Sequence, residues 1–308
     1  MSETKKNSKL IFLFGPTGVG KTALLSEFFS PGYEVINADS VQVYRRLDIG
    51  SAKPEPEILE TVPHHLIDIL DADQQFSLGE FIRRSHTLIE EIEHRGSIPI
   101  VSGGTAFYFK HLLFGLPQAP PSDDKVRAQL AFEVDEHGME GLYAELDRVD
   151  KISAARIDPA DHYRILRALE VYRTSGRPLS SFKMVESNEP EMDPLIIGLE
   201  RKRDELYSRI DKRVDLMFSQ GLVEEVQRLI SAGFRSDWPG MGGIGYREFF
   251  LARECGEFSL RTISDRIKQN SRRYAKRQMT FFRSLPNVHW VHPEDTDRIT
   301  ELLRSRSF

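Results

Sequence analysis

The sequence predicts an α/β protein, a parallel sheet flanked by helices and interrupted by an inserted all-helical domain. Three observations carry that reading. Short apolar runs recur along the chain, mostly separated by stretches with helical periodicity. A glycine-rich loop, GPTGVGKT over residues 15–22, follows the first run and precedes an apolar helix. Between residues 116 and 194 the chain changes to charged helical stretches, with a Pro-rich entry and no convincing strand.

Taken in order, residues 9–14 (KLIFLF) form a continuous apolar run bounded by Gly15 and Pro16, as a strand buried on both faces requires. Similar runs at 34–36, 66–70, 98–101, 195–199 and 288–291 supply the other expected strands, and residues 78–94 carry helical periodicity. The insertion opens with LPQAPPSDD, in which Asp123 or Asp124 caps a first helix. The DPAD at 158–161 starts another helix, for which Gly176 is a stop. The core is therefore expected to be discontinuous, residues 1–115 and 195–308, around a helical insertion of residues 116–194.

The 308 residues, 40% hydrophobic and 29% charged, suit one large α/β domain with an insertion or two modest domains around separate cores. No segment approaches the roughly 20 apolar residues needed to cross a bilayer. The N-terminal MSETKKNSKL shows neither a secretory apolar region nor a cleavage site, so a cytoplasmic protein with no membrane partner is expected. A net charge of −5 argues against a uniformly cationic nucleic-acid coat, so basic patches must be local. The one cysteine, Cys255, excludes disulfides within the chain and thiolate-rich zinc sites, and reads as a small buried apolar residue. His64 and His65, with Asp68, lack a metal-ligand spacing and read as structural.

Gly15, Pro16, Thr17, Gly18, Val19, Gly20, Lys21 and Thr22 match G-x-x-x-x-G-K-[ST], which makes the core P-loop NTPase-like. Loop amides and the helix N-terminus converge on phosphate oxygens, Lys21 neutralises a terminal phosphate, and the Thr22 hydroxyl can ligate Mg²⁺. The motif identifies a phosphate or diphosphate without assigning it to a nucleotide. Moreover, residues 98–101, the best candidate for the magnesium-binding strand of an NTPase, end in Ser102-Gly103-Gly104-Thr105 rather than in an acidic residue.

After Val35-Ile36 come Asn37, Ala38, Asp39, Ser40, Val41, Gln42, Val43 and Tyr44, placing a carboxylate and hydrogen-bonding side chains at the carboxyl end of a strand, where open α/β sheets bind ligands. The GPT-initiated loop followed by D-S-x-Q-x-Y closely resembles the signature of the tRNA dimethylallyltransferase family. The likeness continues through DIGSAKP (48–54), HHLID (64–68), Gly103-Gly104-Thr105, RILRALEVY (164–172), Gly245-Tyr246-Arg247 and KRQMTFFR (276–283). With no paired cysteines of a zinc-binding extension, the chain resembles the bacterial form.

The resemblance implies transfer of a dimethylallyl group from dimethylallyl diphosphate to the exocyclic amine of the adenosine immediately 3′ of the anticodon. The partner is then a tRNA anticodon stem-loop and the cofactor Mg²⁺, with a monomer expected. An exocyclic adenine amine is a weak nucleophile, so removing a proton during attack lowers the barrier; Asp39 is the candidate general base, or else a cap carboxylate or one lying behind the magnesium ligands. Lys21, Thr17 and the loop amides would stabilise the departing pyrophosphate. Arg209 and Arg213 resemble family arginines near that group, or form a solvated helix face.

The target base must be turned out of its stack to reach a buried carboxylate. Likeness to the family places Asp39, Ser40, Val41, Gln42 and Thr105 on the extruded base, and Arg127, Tyr163, Arg164, Arg167, Gly245, Tyr246 and Arg247 toward the RNA. Tyr163 and the Gly242-Gly243 pair depart from the usual family residues. Between Arg266 and Arg283 the cations Lys268, Arg272, Arg273, Lys276, Arg277 and Arg283 alternate with Tyr274, Phe281 and Phe282. Such a helix either lays cations along phosphates or is a solvated amphipathic helix; Phe281 and Phe282 are expected in the core, and likeness to the family adds Gln278 to the tRNA-binding residues. Three alternatives stay open: a prenyltransferase acting on free adenine nucleotides, a P-loop kinase or NTPase, and a non-catalytic RNA-binding protein.

Overall fold

The computed structural model describes residues 9–29, 31–116, 118–182, 190–256, 259–306 and 308. Six parallel strands form one sheet: β1 (Ile11–Phe14), β2 (Tyr33–Asn37), β3 (His64–His65), β4 (Ile98–Gly103), β5 (Leu195–Leu199) and β6 (His289–Val291), in the order β3-β2-β4-β1-β5-β6. The helices follow as α1 (Lys21–Phe28), α2 (Pro56–Thr61), α3 (Leu78–His94), α4 (Ala106–Phe114), α5 (Asp124–Val149), α6 (Lys151–Ala154), α7 (His162–Ser175), α8 (Arg203–Ser219), α9 (Leu222–Ser231), α10 (Arg247–Glu254), α11 (Leu260–Phe282) and α12 (Thr296–Ser305). Among the described residues no helix is long and apolar enough to cross a membrane.

All four β1 side chains are fully buried, as a central strand covered on both faces demands. Phe14 stacks on Phe282 at 4.3 Å between centroids and meets Phe109 edge-on at 5.1 Å. Each such buried ring contributes on the order of 1.5–3 kcal/mol by area alone. Phe282 is enclosed, but Phe281 is only partly buried. The two cannot share a face, because adjacent helical residues point about 100° apart.

Ser77 caps α3, its hydroxyl accepting from the Glu80 amide at 3.1 Å. The chain clusters into two compact units. One comprises residues up to Leu113 together with those from Met192 onward, and the other comprises Phe114–Glu191. Within the second, Asp123 caps α5, accepting from the Lys125 and Val126 amides, and Asp161 caps α7, which ends at Gly176 in the left-handed region with φ 69°. The core of this unit is Leu130, Leu142, Leu146, Ala154, Ile165, Ala168 and Leu169.

Two sequence expectations are corrected. Residues 66–70 are not the strand: β3 lies at His64–His65, and Leu66 and Asp68 take positive φ. The apolar side chains there follow a bend whose amides bond to Gln42 and Val43 carbonyls, so the run packs on residues 42–45 instead of extending the sheet. Cys255 is exposed rather than buried; it is the C-cap of α10, where the chain leaves the core toward Gly256. His65 and His64 are structural. His65 Nε2 lies 2.7 Å from Glu34, which Arg95 also grips at 2.8 Å, and His64 Nδ1 lies 2.6 Å from the Val62 carbonyl.

Candidate active site

The loop between β1 and α1 turns sharply at Gly18 (φ 79°) and Gly20 (φ 115°), positions that a side chain would strain. At Gly15 a Cβ would lie 2.8 Å from the Leu199 carbonyl oxygen, so β5 fixes how closely the loop packs. The Lys21 ammonium folds back over the loop and donates to the Gly15 and Pro16 carbonyls at 2.9 and 3.1 Å. Burial, and then the charge of Arg213, lower its pKa from the ordinary 10.5 to about 8, while Asp39 pulls it upward.

Three arginines from the segment after β5 hold three successive loop residues. Arg213 donates to the Thr17 hydroxyl at 2.8 Å, Arg209 to the Gly18 carbonyl at 3.0 Å, and Arg201 to the Val19 carbonyl at 2.8 Å. The spacing from Arg209 to Arg213 is one helical turn, so both reach the same side from α8. Arg201 escaped the sequence reading, although its place just beyond a strand beside the phosphate loop is a signal. Its side chain is 5% exposed and also pairs with Glu205 and Glu294, which leaves little for a cation at the exposed Glu205, His292 and Glu294 group.

Asp39 stands at the carboxyl end of β2. The Ala38 amide extends the pairing with β4 by donating to the Ser102 carbonyl at 2.7 Å, and Gly103 leaves no room for a side chain against the Ala38 backbone. Asp39 Oδ1 accepts from the Val41 and Gln42 amides at 2.9 and 3.3 Å, so it caps its own turn. Its charge also acts on Lys21 of the phosphate loop, on Arg213 of α8 and on Tyr274 in α11. The Ser40 amide donates to the Thr105 hydroxyl at 3.1 Å, and the Gln42 amide group donates to the Ser51 and Ala52 carbonyls at 3.2 and 3.0 Å. Thr17, Lys21, Asp39, Ser40, Thr105 and Arg213 thus gather at one end of the sheet. Thr22 lies in the first turn of α1, a turn that contains no acidic residue.

The DIGSAKP and Gly245-Tyr246-Arg247 motifs interlock. Glu225 accepts from the amides of Asp48, Ile49 and Gly50 and from the Tyr246 hydroxyl at 2.7 Å, and Tyr246 accepts in turn from the Ser51 amide. A Cβ at Gly50 would lie 2.5 Å from the Tyr246 ring. Tyr246, expected to face the RNA, is fully buried, and burial with the Glu225 charge pushes its pKa far up. Gly245 is buried too, while Arg247 is exposed. Lys53 reaches Asp48, Asp68 and the Tyr44 carbonyl, tying DIGSAKP to the HHLID segment.

Along α11, Lys276, Arg277 and Arg273 are exposed, whereas Lys268 pairs with Asp215, Arg272 with Asp211, and the C-cap Arg283 with Glu200. Gln278 is buried. In the second unit Arg127 and Arg167 both grip the buried Glu170, at 3.1 and 2.7 Å, and Arg164 pairs with Asp161. Tyr163 projects with 66% exposure.

The chain resembles known proteins over nearly its whole length. The family model described as IPP transferase matches residues 42–285. The tRNA dimethylallyltransferase of Geobacter sulfurreducens is 43% identical over 307 residues, covering 98% of this chain and 97% of that protein. The crystal structure of the tRNA isopentenylpyrophosphate transferase from Bacillus halodurans superposes with a TM-score of 0.68 at 36% identity, covering 98% and 95% of the two chains. A structure of a eukaryotic dimethylallyltransferase acting on tRNA gives 0.74 at 27% identity, covering 97% of this chain and 77% of that one. On full-length identity, fold and a phosphate loop facing Asp39, this chain belongs to the IPP transferase family.

Proposed function

We propose that this protein transfers the dimethylallyl group of dimethylallyl diphosphate to the exocyclic amine of the adenosine immediately 3′ of the anticodon in tRNA, releasing pyrophosphate. The observation that carries this reading is a phosphate loop held by Lys21, Arg201, Arg209 and Arg213 with a single carboxylate, Asp39, at the next strand end and no acidic residue ending β4. That set is suited to receiving a diphosphate leaving group and one proton, not to aligning water on a γ-phosphate.

In this reading the cradle orients the diphosphate, and its positive charge meets the negative charge that grows as the allylic carbon–oxygen bond breaks. The adenine amine forms the new carbon–nitrogen bond, and Asp39 takes the proton that the nitrogen sheds. Thr105 and Gln42 would position the base beside Asp39, and Val41 would pack on it. Arg127, Tyr163, Arg164, Arg167, Arg247, Lys276, Arg277 and Arg283 are proposed tRNA contacts, the last three along the phosphates from α11 and its C-cap. A divalent cation, proposed here as magnesium, fits the hard oxygen of Thr22 beside the loop and would supply further positive charge to the pyrophosphate.

The test combines labelled dimethylallyl diphosphate, Mg²⁺ and an unmodified anticodon stem-loop. Labelled RNA with ATP left intact is the expected outcome. Hydrolysis of ATP without labelling would refute the reading, and AMP labelled as readily as RNA would transfer it to free nucleotides.

A further inference from the structure

Gln278 lies in α11 with 4% exposure, between two exposed cations in sequence and the core phenylalanine Phe282 one turn on. Its side-chain amide bonds to two loops of the site. The carbonyl oxygen Oε1 accepts from the Thr17 amide of the phosphate loop at 2.9 Å, and Nε2 donates to the Gly104 carbonyl at 2.7 Å. A Cβ at Gly104 would stand 2.4 Å from that Nε2, so the absence of a side chain at 104 is what lets the bridge close. Thr17 is consequently held twice, by Gln278 at its amide and by Arg213 at its hydroxyl. On the other side, Thr105 follows Gly104 directly and accepts from the Ser40 amide, next to Asp39. Tyr274, one turn before Gln278, is near enough to Thr105 and Gln278 for both to act on its hydroxyl.

We propose that Gln278 is a positioning residue that sets the distance between the diphosphate cradle and the Asp39 side of the site, by bridging the Thr17 amide to the Gly104 carbonyl. The bridge spans the two loops that must hold electrophile and nucleophile in line. An amide suits this task because it donates at one end and accepts at the other, which neither a carboxylate nor an ammonium does. This assignment takes Gln278 away from direct contact with tRNA, and it rests on the prenyl-transfer reading given above.

The full-length protein with Gln278→Met keeps the volume and loses both hydrogen bonds, while Gln278→Glu keeps the acceptor and loses the donor. At saturating tRNA and dimethylallyl diphosphate, kcat should fall about ten- to a hundredfold in Gln278→Met, the scale of a small misplacement of reacting groups. The tRNA dissociation constant and its salt dependence should not change. Gly104→Ala, which displaces the glutamine without altering it, should lower kcat in the same way, and the double variant should be no slower than the worse single one. It also serves if Gln278→Met does not fold. Unchanged kcat with a lowered melting temperature would reduce Gln278 to a packing role and overturn the proposal. Weakened tRNA binding with full kcat at saturation would make it an RNA contact and overturn it equally. Wild-type protein that fails to label RNA would instead refute the reaction itself.

Discussion

Lys21 offers a sharp test of the phosphate cradle. Burial and the neighbouring Arg213 charge bring its pKa to about 8, against an ordinary 10.5, so the free protein gives up the ammonium within an accessible pH range. A bound diphosphate favours the charged form, so affinity is full below that value and declines as pH rises through it. With a pKa of about 8, only about one molecule in thirty carries the charge at pH 9.5, which costs about 2 kcal/mol of binding. Calorimetric titration with pyrophosphate and Mg²⁺ from pH 6.5 to 9.5 should therefore show about a thirtyfold loss of affinity. Lys21→Arg supplies a cation that does not titrate in this range and should hold its affinity. The ligand's own ionisation appears equally in both proteins and cancels in their ratio. Arg213→Gln removes the repelling charge and should move the break to higher pH. A wild-type to Lys21→Arg affinity ratio that is flat across the range would refute the assignment of the charge to Lys21.

Asp39→Asn keeps an acceptor for the Val41 and Gln42 amides, so the turn should survive while prenyl transfer slows roughly a hundredfold or more; undiminished single-turnover rates would remove Asp39 from the chemistry. Changing Lys276 and Arg277 together to Ala should weaken tRNA binding and lower the slope of log affinity against log salt by about one per lost phosphate contact; an unaltered slope would clear both residues of that role. Arg95, ahead of His65, holds the Glu34 carboxyl down at about 2, so its stabilisation is present above the ordinary 4.5 and is lost as pH falls toward 2. For this largely buried group the effect is about 3 kcal/mol. Glu34→Gln should flatten the fall in unfolding free energy between pH 4.5 and 2, and a slope identical to wild type would contradict the linkage.

By itself the sequence determined the parallel-sheet architecture and the phosphate-loop turn, because both rest on local patterns. The KLIFLF run needs burial on two faces, and GPTGVGKT needs glycines where φ turns positive. Asp123, Asp161 and Gly176 mark helix ends through their own side chains or lack of one. The apolar run at 66–70 misled, since hydrophobicity reports burial but not extension, and burial there comes from packing on residues 42–45. What only the tertiary structure decided is which polar side chains are spent on holding loops. Tyr246 and Glu225 are 21 residues apart, and Gln278 and Thr17 are 261 apart. No spacing rule links such pairs, so a buried brace and a surface contact look alike until the chain folds. The physical reason is that a buried polar group must find its partner in three dimensions, and that partner is chosen by the packing of distant elements rather than by neighbours in sequence.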